Sequence, residues 1–308
     1  MPKNPYNFTP STLKGQLPVA YGDVIFVDSA TGNSSGDGSS LRPFNTIENA
    51  LNKSGVSAGD IIVVMEGHAE TISSATALNA DIAGVQVIGQ GFGSRRPTIT
   101  LDTATTTTIP VTVANFAFKN IIFTANFADI VSVFTITTAN NFTLENCYFK
   151  ATATNMNFLN IVDTNATTND ASGLTIRNCK WIEPDLATLS LVKVDGSNAD
   201  IVIADNFVQL GVNNNVAALM TVATGKVVTN LQMTGNRVFR LNTDTATGAI
   251  LFSTDGSTNS GIVANNFAQH ADTAGELLIT ASSGLGTFNN YASGVAGASG
   301  YILPAVDS

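Results

Sequence analysis

Charged residues are scarce in this sequence: they make up 12% of its 308 residues, about half the usual share. The 14 Lys and Arg residues are outnumbered by 23 Asp and Glu residues, which gives a net charge of −9, and no cationic cluster exists beyond Arg95 and Arg96. Because binding to DNA or RNA needs clustered cations, we expect no direct nucleic-acid partner.

Long apolar runs are also missing. No run reaches the roughly 18 residues of a membrane span, and the N-terminal residues MPKNPYNFTP lack the apolar segment of a signal peptide. Two cysteines, Cys147 and Cys179, are too few for a disulfide framework, and two isolated histidines, His68 and His270, cannot form a His-rich metal site. We therefore predict no membrane contact, no cofactor and no metal.

Helical periodicity hardly occurs after residue 72, and a short pattern repeats in its place. In each copy an apolar residue is followed two or three positions later by Asn and then by an apolar or aromatic residue. The copies recur with a loose but persistent period, and β-rich runs lie between them, which predicts an all-β solenoid of the parallel β-helix class. The asparagines expected to form a ladder along one edge are Asn120, Asn146, Asn178, Asn206, Asn236 and Asn266, with Asn290 in a degenerate seventh copy.

One helix is expected near residues 46–54. Thr46 is a suitable N-cap, Gly55 is a suitable stop, and Ile47, Ala50 and Leu51 fall on one face. Because the first coil of a solenoid has an open strand edge, an apolar helix face is well suited to cover it. We predict an extended, proline-rich arm over residues 1–21, the β-helix over residues 22–290, and a tail or cap over residues 291–308.

Three opening segments, FVDSATGNSSGDGSS, RPFNTIENAL and AGDIIVVMEGHAETI, resemble the N-terminal signature of right-handed parallel β-helix proteins of the pectate-lyase-like superfamily. That fold hosts lyases, hydrolases, tailspikes and structural proteins, so the resemblance does not decide the function. It implies a right-handed, single-stranded β-helix with a short N-terminal capping helix.

A narrower resemblance links GDIIVVMEGHAETI, DIAGVQVIGQGFGSRRPTI and ASSGLGTFNNYASGVAGASGYILP to a group of tailed-phage and prophage β-helix proteins. It implies a homotrimeric virion protein that is assembled in the host cytoplasm and decorates the outer head surface by binding the major capsid protein. The proline-rich arm has two lysines and no acid up to residue 18. Its candidate capsid contacts are Lys3, Pro5, Tyr6 and Lys14.

Carboxylates on stacked coils give the alternative function. Polysaccharide-cleaving enzymes pair two such groups as acid and base or nucleophile. Asp163 and Asp195 follow their ladder asparagines at the same spacing, and Asp255 follows Asn236 at a slightly longer one. The competing interpretation is that these aspartates close turns, as in VDGS and TDGS.

Aromatic residues argue against a sugar-binding cleft, because 17 Phe accompany only five Tyr and one Trp. Phe123, Phe149 and Phe239 fall at expected core positions. On this basis we predict a protein without enzymatic activity. The alternative is a phage tailspike or a β-helix polysaccharide lyase or hydrolase, and a third possibility is an adhesin that binds glycans.

Overall fold

The computed structural model describes residues 22–183, 189–211, 218–240, 251–253, 258–270, 284–293 and 300–301. The predicted arm, with Lys3, Pro5, Tyr6 and Lys14, lies outside the described residues, and so do Asp255 and most of the predicted C-terminal tail.

Three sheets run along the solenoid, and the described coils from Gln86 to Ser253 pass in turn through all three. Sheet I contains Val24–Val27, Ile61–Val64, Gln86–Gly89, Ala117–Lys119, Thr143–Glu145, Thr175–Arg177, Val202–Ala204, Leu231–Thr234, Gly261–Ala264 and Leu285–Phe288. Sheet II contains Ala69–Ile72, Thr98–Leu101, Ile122–Ala125, Tyr148–Ala151, Lys180–Glu183, Phe207–Leu210, Arg237–Arg240, Phe267–His270, Tyr291–Ser293 and Gly300–Tyr301. Sheet III contains Ile109–Val111, Ile130–Ile136, Phe158–Thr164, Ser190–Val194, Ala218–Val222 and Phe252–Ser253.

Neighbouring coils pair in parallel and in register, as in Leu144 with Ile176. Within the described residues the exception is the last strand of sheet II, Gly300–Tyr301, which pairs antiparallel. A minor sheet joins Asn198–Ala199 to Val228–Thr229. The predicted all-β, right-handed parallel β-helix with an N-terminal helix is confirmed.

The core is a continuous column of apolar side chains from all three sheets. Phe123 and Phe149 are fully buried, as predicted, and their rings stack with centroids 5.4 Å apart. The prediction for Phe239 is wrong. Its neighbour Val238 faces the core, and the half-buried ring of Phe239 lies 5.3 Å from Phe207 and 5.6 Å from Phe267 on the outer face of sheet II.

The helix spans Ile47–Leu51 and buries Ile47, Ala50 and Leu51 against the first coil. Thr46 is its N-cap, and its Oγ1 accepts a hydrogen bond from the amide of Asn49 at 3.1 Å. The carboxylate of Glu70 accepts a second bond from the amide of Ile47 at 3.0 Å. Sheet II thus fixes the start of the helix, because two of its unpaired N–H groups are satisfied. Among the described residues, no helix has the length and apolar character that a membrane span requires.

Every described turn from sheet I to sheet II, from the coil of Asn120 onward, uses two consecutive positions. The first position has a positive φ and is occupied by Asn120, Asn146, Asn178, Asp205, Gly235, Asn265 and Asn289. The second position is buried and is occupied by Ile121, Cys147, Cys179, Asn206, Asn236, Asn266 and Asn290. The six asparagines expected in one ladder therefore fall into two adjacent columns, three in each.

The second column forms a buried amide ladder. Nδ2 of Asn236 donates to Oδ1 of Asn266 at 2.9 Å, and Nδ2 of Asn266 donates to Oδ1 of Asn290 at 2.9 Å. In the first column, Nδ2 of Asn146 donates to Oδ1 of Asn120 at 2.9 Å on the surface. In the first column asparagine fits because it tolerates a left-handed backbone. In the second column it fits because its side-chain amide donates and accepts hydrogen bonds between coils.

Candidate functional site

Sheet III bends at the same place in successive coils. Two consecutive side chains point into the core at this place, although side chains normally alternate along a strand. These pairs, all 1% exposed or less, are Val133 with Phe134, Ile161 with Val162, Leu191 with Val192, and Leu219 with Met220. Because two adjacent inward residues require a local kink, sheet III is bent along this strip.

Polar side chains converge in this bent strip. The Oγ of Ser132 lies 3.1 Å from Oγ1 of Thr135, which is too close for residues three apart on a straight strand. In the coils that follow, the Oγ of Ser190 lies 2.8 Å from Oγ1 of Thr221. We call this strip the sheet III groove, and its lining residues are Thr108, Ser132, Thr135, Asn160, Asp163, Ser190, Lys193 and Thr221.

Asn160 lies in the groove between Ser132 and Ser190 in the strand register. Its Nδ2 donates to the carbonyl of Val131 at 3.0 Å, but its buried Oδ1 has no hydrogen-bond partner within the described structure. An unpaired buried acceptor costs about 1–3 kcal/mol.

Two carboxylates meet where the groove reaches the end of the sheet III strands. Asp163 and Lys193 are paired neighbours on adjacent coils, and the Nζ of Lys193 lies 3.3 Å from Oδ1 of Asp163. The same Nζ lies 2.6 Å from Oδ2 of Asp195, which directly follows the next strand. Because Nζ is 3.3 Å from one carboxylate and 2.6 Å from the other, their nearest oxygens are less than about 6 Å apart.

The environment of Asp163 changes its protonation. Burial raises the pKa of this carboxyl, the positive charge of Lys193 acts in the opposite direction, and the negative charge of Asp195 raises it further. Burial opposes the charged form of Lys193, but its hydrogen bond to Asp195 and the charge of Asp163 outweigh burial and raise the pKa of the ammonium. Asp163 therefore keeps its proton to a higher pH than an ordinary aspartate, beside a lysine that stays charged.

The sequence analysis placed Asp163 and Asp195 on adjacent coils because each lies at the same spacing from an asparagine. The two side chains are close in the structure, but this spacing does not explain it. Equal spacing from an asparagine does not give equal positions, because Asp163 is paired across the coils with Lys193. Asp195 also serves the turn, since its amide donates to Oγ1 of Thr164 at 3.0 Å. Lys193 and Asn160 were missed. The sequence does contain a signal for Asn160: the polar residues Ser132, Asn160 and Ser190 recur at intervals of about one coil.

The other candidate residues do not join this site. His68 is buried beside Glu70, with Nε2 3.2 Å from Oε2 of that carboxylate, and supports the start of the helix. Cys147 and Cys179 are buried free thiols in the ladder column. Across the described ranges, no three His, Cys, Asp or Glu side chains are grouped as metal ligands.

Solved structures that resemble this chain share its fold. Pectin methylesterase from Aspergillus niger, in deglycosylated form, is 15% identical over 94% of this chain and 93% of the esterase, with a TM-score of 0.51. A rhamnogalacturonan lyase is 15% identical over 81% of this chain and 69% of the lyase, with a TM-score of 0.44. A pectate lyase is 15% identical over 91% of this chain and 79% of its own, with a TM-score of 0.42. Comparisons with protein-family models and with curated proteins gave no match.

These comparisons correct one prediction from the sequence. The expectation of a protein without enzymatic activity is contradicted, because the similar structure with a TM-score above 0.5 is that of an enzyme, the pectin methylesterase. At this identity the likeness establishes the pectate-lyase-like parallel β-helix fold. It does not establish a substrate or a reaction for this chain.

Proposed function

We propose that this chain is an enzyme that hydrolyses a polysaccharide bound along the sheet III groove. The observation that carries the proposal is the pair of carboxylates on adjacent coils, Asp163 and Asp195, less than about 6 Å apart in unequal environments. Asp163, with its raised pKa, is the proton donor. Asp195, which is ion-paired with Lys193, is the nucleophile.

The two roles follow the chemistry of retaining glycosidases. Asp163 gives its proton to the glycosidic oxygen while a carboxylate oxygen of Asp195 bonds to the anomeric carbon and the bond to the leaving sugar breaks. Water then releases the bound sugar, and Asp163, now ionised, takes the proton of that water. Inverting enzymes need about 6.5–9.5 Å between their carboxyl groups to admit a water molecule, so the short separation favours retention.

Lys193 has to leave the space between the carboxylates when the sugar enters. Its side chain is 37% exposed, compared with 15% for Asp163, so it can turn outward into solvent.

The virion setting stays a prediction. The major capsid protein as partner, the homotrimer and the position on the outer head surface rest on the narrower sequence resemblance. A polysaccharide-cleaving tailspike would combine a virion location with the activity proposed above.

The test is the release of new reducing ends from a panel of acidic and neutral polysaccharides. The wild type is expected to cleave at least one of them, and Asp163→Asn should reduce the rate by about 100-fold or more, the usual effect of losing a general acid. The matched control is Asp200→Asn, which makes the same charge change at an exposed left-handed turn where asparagine fits. A panel left intact by the wild type, or equal rates for the two variants, would contradict the proposal.

A further inference from the structure

The outer face of sheet II carries aromatic and cationic side chains in stacked coils. One column of outward positions, in register from coil to coil, contains Tyr148, Lys180, Phe207, Arg237, Phe267 and Tyr291. The column two residues further along each strand contains Lys150, Ile182, Gln209, Phe239 and Gln269. We call these two columns the sheet II face.

The charge of this face differs from that of the whole chain. The chain has a net charge of −9, yet no Asp or Glu occupies an outward position of the sheet II face. Among the described contacts, none of Lys150, Lys180 and Arg237 forms a salt bridge with a carboxylate. These cations are therefore available to an anionic partner.

Aromatic rings lie between the cations. The Nζ of Lys180 is 5.2 Å from the ring centre of Tyr148 and 5.6 Å from that of Phe207. The ring centres of Phe207 and Phe239 are 5.3 Å apart, and those of Phe239 and Phe267 are 5.6 Å apart. The rings are only half-buried, so part of their apolar surface faces solvent.

We propose that the sheet II face is a second, non-catalytic site that binds a linear, carboxylated polysaccharide along the solenoid axis. The apolar faces of the sugar rings would pack on the aromatic rings, and the carboxylates would pair with the cations. Coils repeat about every 4.8 Å, so the five coils from Tyr148 to Phe267 offer about 19 Å of regular surface. Because the binding positions repeat at a regular spacing, this surface matches a polymer that also has a regular repeat.

A second copy of the chain is a weaker match for this face. In a two-fold symmetric contact the same patch meets itself, so Lys180 and Arg237 of both copies would share one interface to which the sheet II face contributes no Asp or Glu. The site is also separate from the sheet III groove, because the two lie on different sheets of the solenoid. Its occupancy does not depend on the activity proposed for Asp163.

Calorimetric titration of the full chain with polygalacturonate at low salt tests the proposal. The double variant Lys180→Glu/Arg237→Glu is expected to bind at least 10-fold more weakly than the wild type. The control, Lys53→Glu/Lys226→Glu, has the same net charge with its changes outside the sheet II face, and it should bind like the wild type. Phe207→Ser/Phe239→Ser keeps the charge and should also weaken binding, because stacking surface is lost.

Three results would overturn the proposal. In the first, the wild type does not bind polygalacturonate. In the others, the two charge variants weaken binding equally, or the phenylalanine variant binds as well as the wild type. Loss of binding in Asp163→Asn would move the ligand to the sheet III groove. A change in the molar mass measured by light scattering for Lys180→Glu/Arg237→Glu would assign the face to contacts between copies.

Discussion

At the scale of single residues, the protonation of Asp163 is set by its burial and by the charges of one neighbouring coil. Burial raises its pKa, and Lys193, its paired neighbour, lowers it. A general acid works only while it is protonated, so the rate is expected to fall as the pH rises through the raised pKa of Asp163. Below that pKa the proton is present and this dependence disappears.

Substitution of Lys193 by methionine tests this assignment. Lys193→Met removes a positive charge that lowers the pKa of Asp163, so the fall in kcat/KM should move to higher pH. The control is Lys226→Met, which makes the same charge change on a turn outside the groove and should leave the profile unshifted. A profile that stays in place, or moves to lower pH, would show that Asp163 is not the titrating acid.

The residue scale also shows why the sequence assigned Phe239 to the core. Phe149 lies three residues after Asn146, and Phe239 lies three residues after Asn236. Asn146 is in the left-handed column, whereas Asn236 is in the buried column one position later. A shift of one residue exchanges the two faces of a strand, so Phe149 points inward and Phe239 points outward.

At the scale of structural elements, the buried asparagine column is the device that joins coils at the turn between sheets I and II. Asn236 donates to the carbonyl of Ile203 at 2.8 Å and to Asn266 at 2.9 Å. Its Oδ1 accepts from the amide of Asn206 at 3.1 Å. One side chain therefore links three successive coils.

Removal of this side chain should be costly. Asn236→Ala leaves buried partners unpaired in both neighbouring coils and is expected to lower the free energy of unfolding by about 3 kcal/mol. The matched control is Asn265→Gly in the exposed column, where Gly235 already occupies the equivalent position, and it should change stability by less than about 1 kcal/mol. Urea unfolding followed by circular dichroism measures both variants, and equal losses would contradict the ladder's role.

Among the structural elements, the β-helix and its capping helix could be predicted from the sequence, and the bend in sheet III could not. The repeated pattern was enough for the β-helix and its capping helix, because hydrophobic periodicity and turn residues are local signals. The bend in sheet III was not predictable in this way. It depends on two consecutive inward residues, such as Ile161 and Val162, which an apolar run within a strand does not reveal.

At the scale of the whole molecule, the solenoid brings short polar signals together across coils. Asn160 and Ser190 are separated by a full coil of sequence but paired in the sheet, so the groove exists only as a property of stacked coils. The sheet II face arises in the same way. Its aromatic and cationic residues are dispersed in the sequence, and they form one surface because the strand register aligns them.

The most direct measurement of the central claim is a crystal structure of the Asp163→Asn variant with an oligosaccharide of the polysaccharide that the wild type cleaves. A sugar chain is expected in the sheet III groove, with a glycosidic oxygen within hydrogen-bond distance of the side chain at position 163. An oligosaccharide bound only on the sheet II face, or a sheet III groove that stays empty, would contradict it.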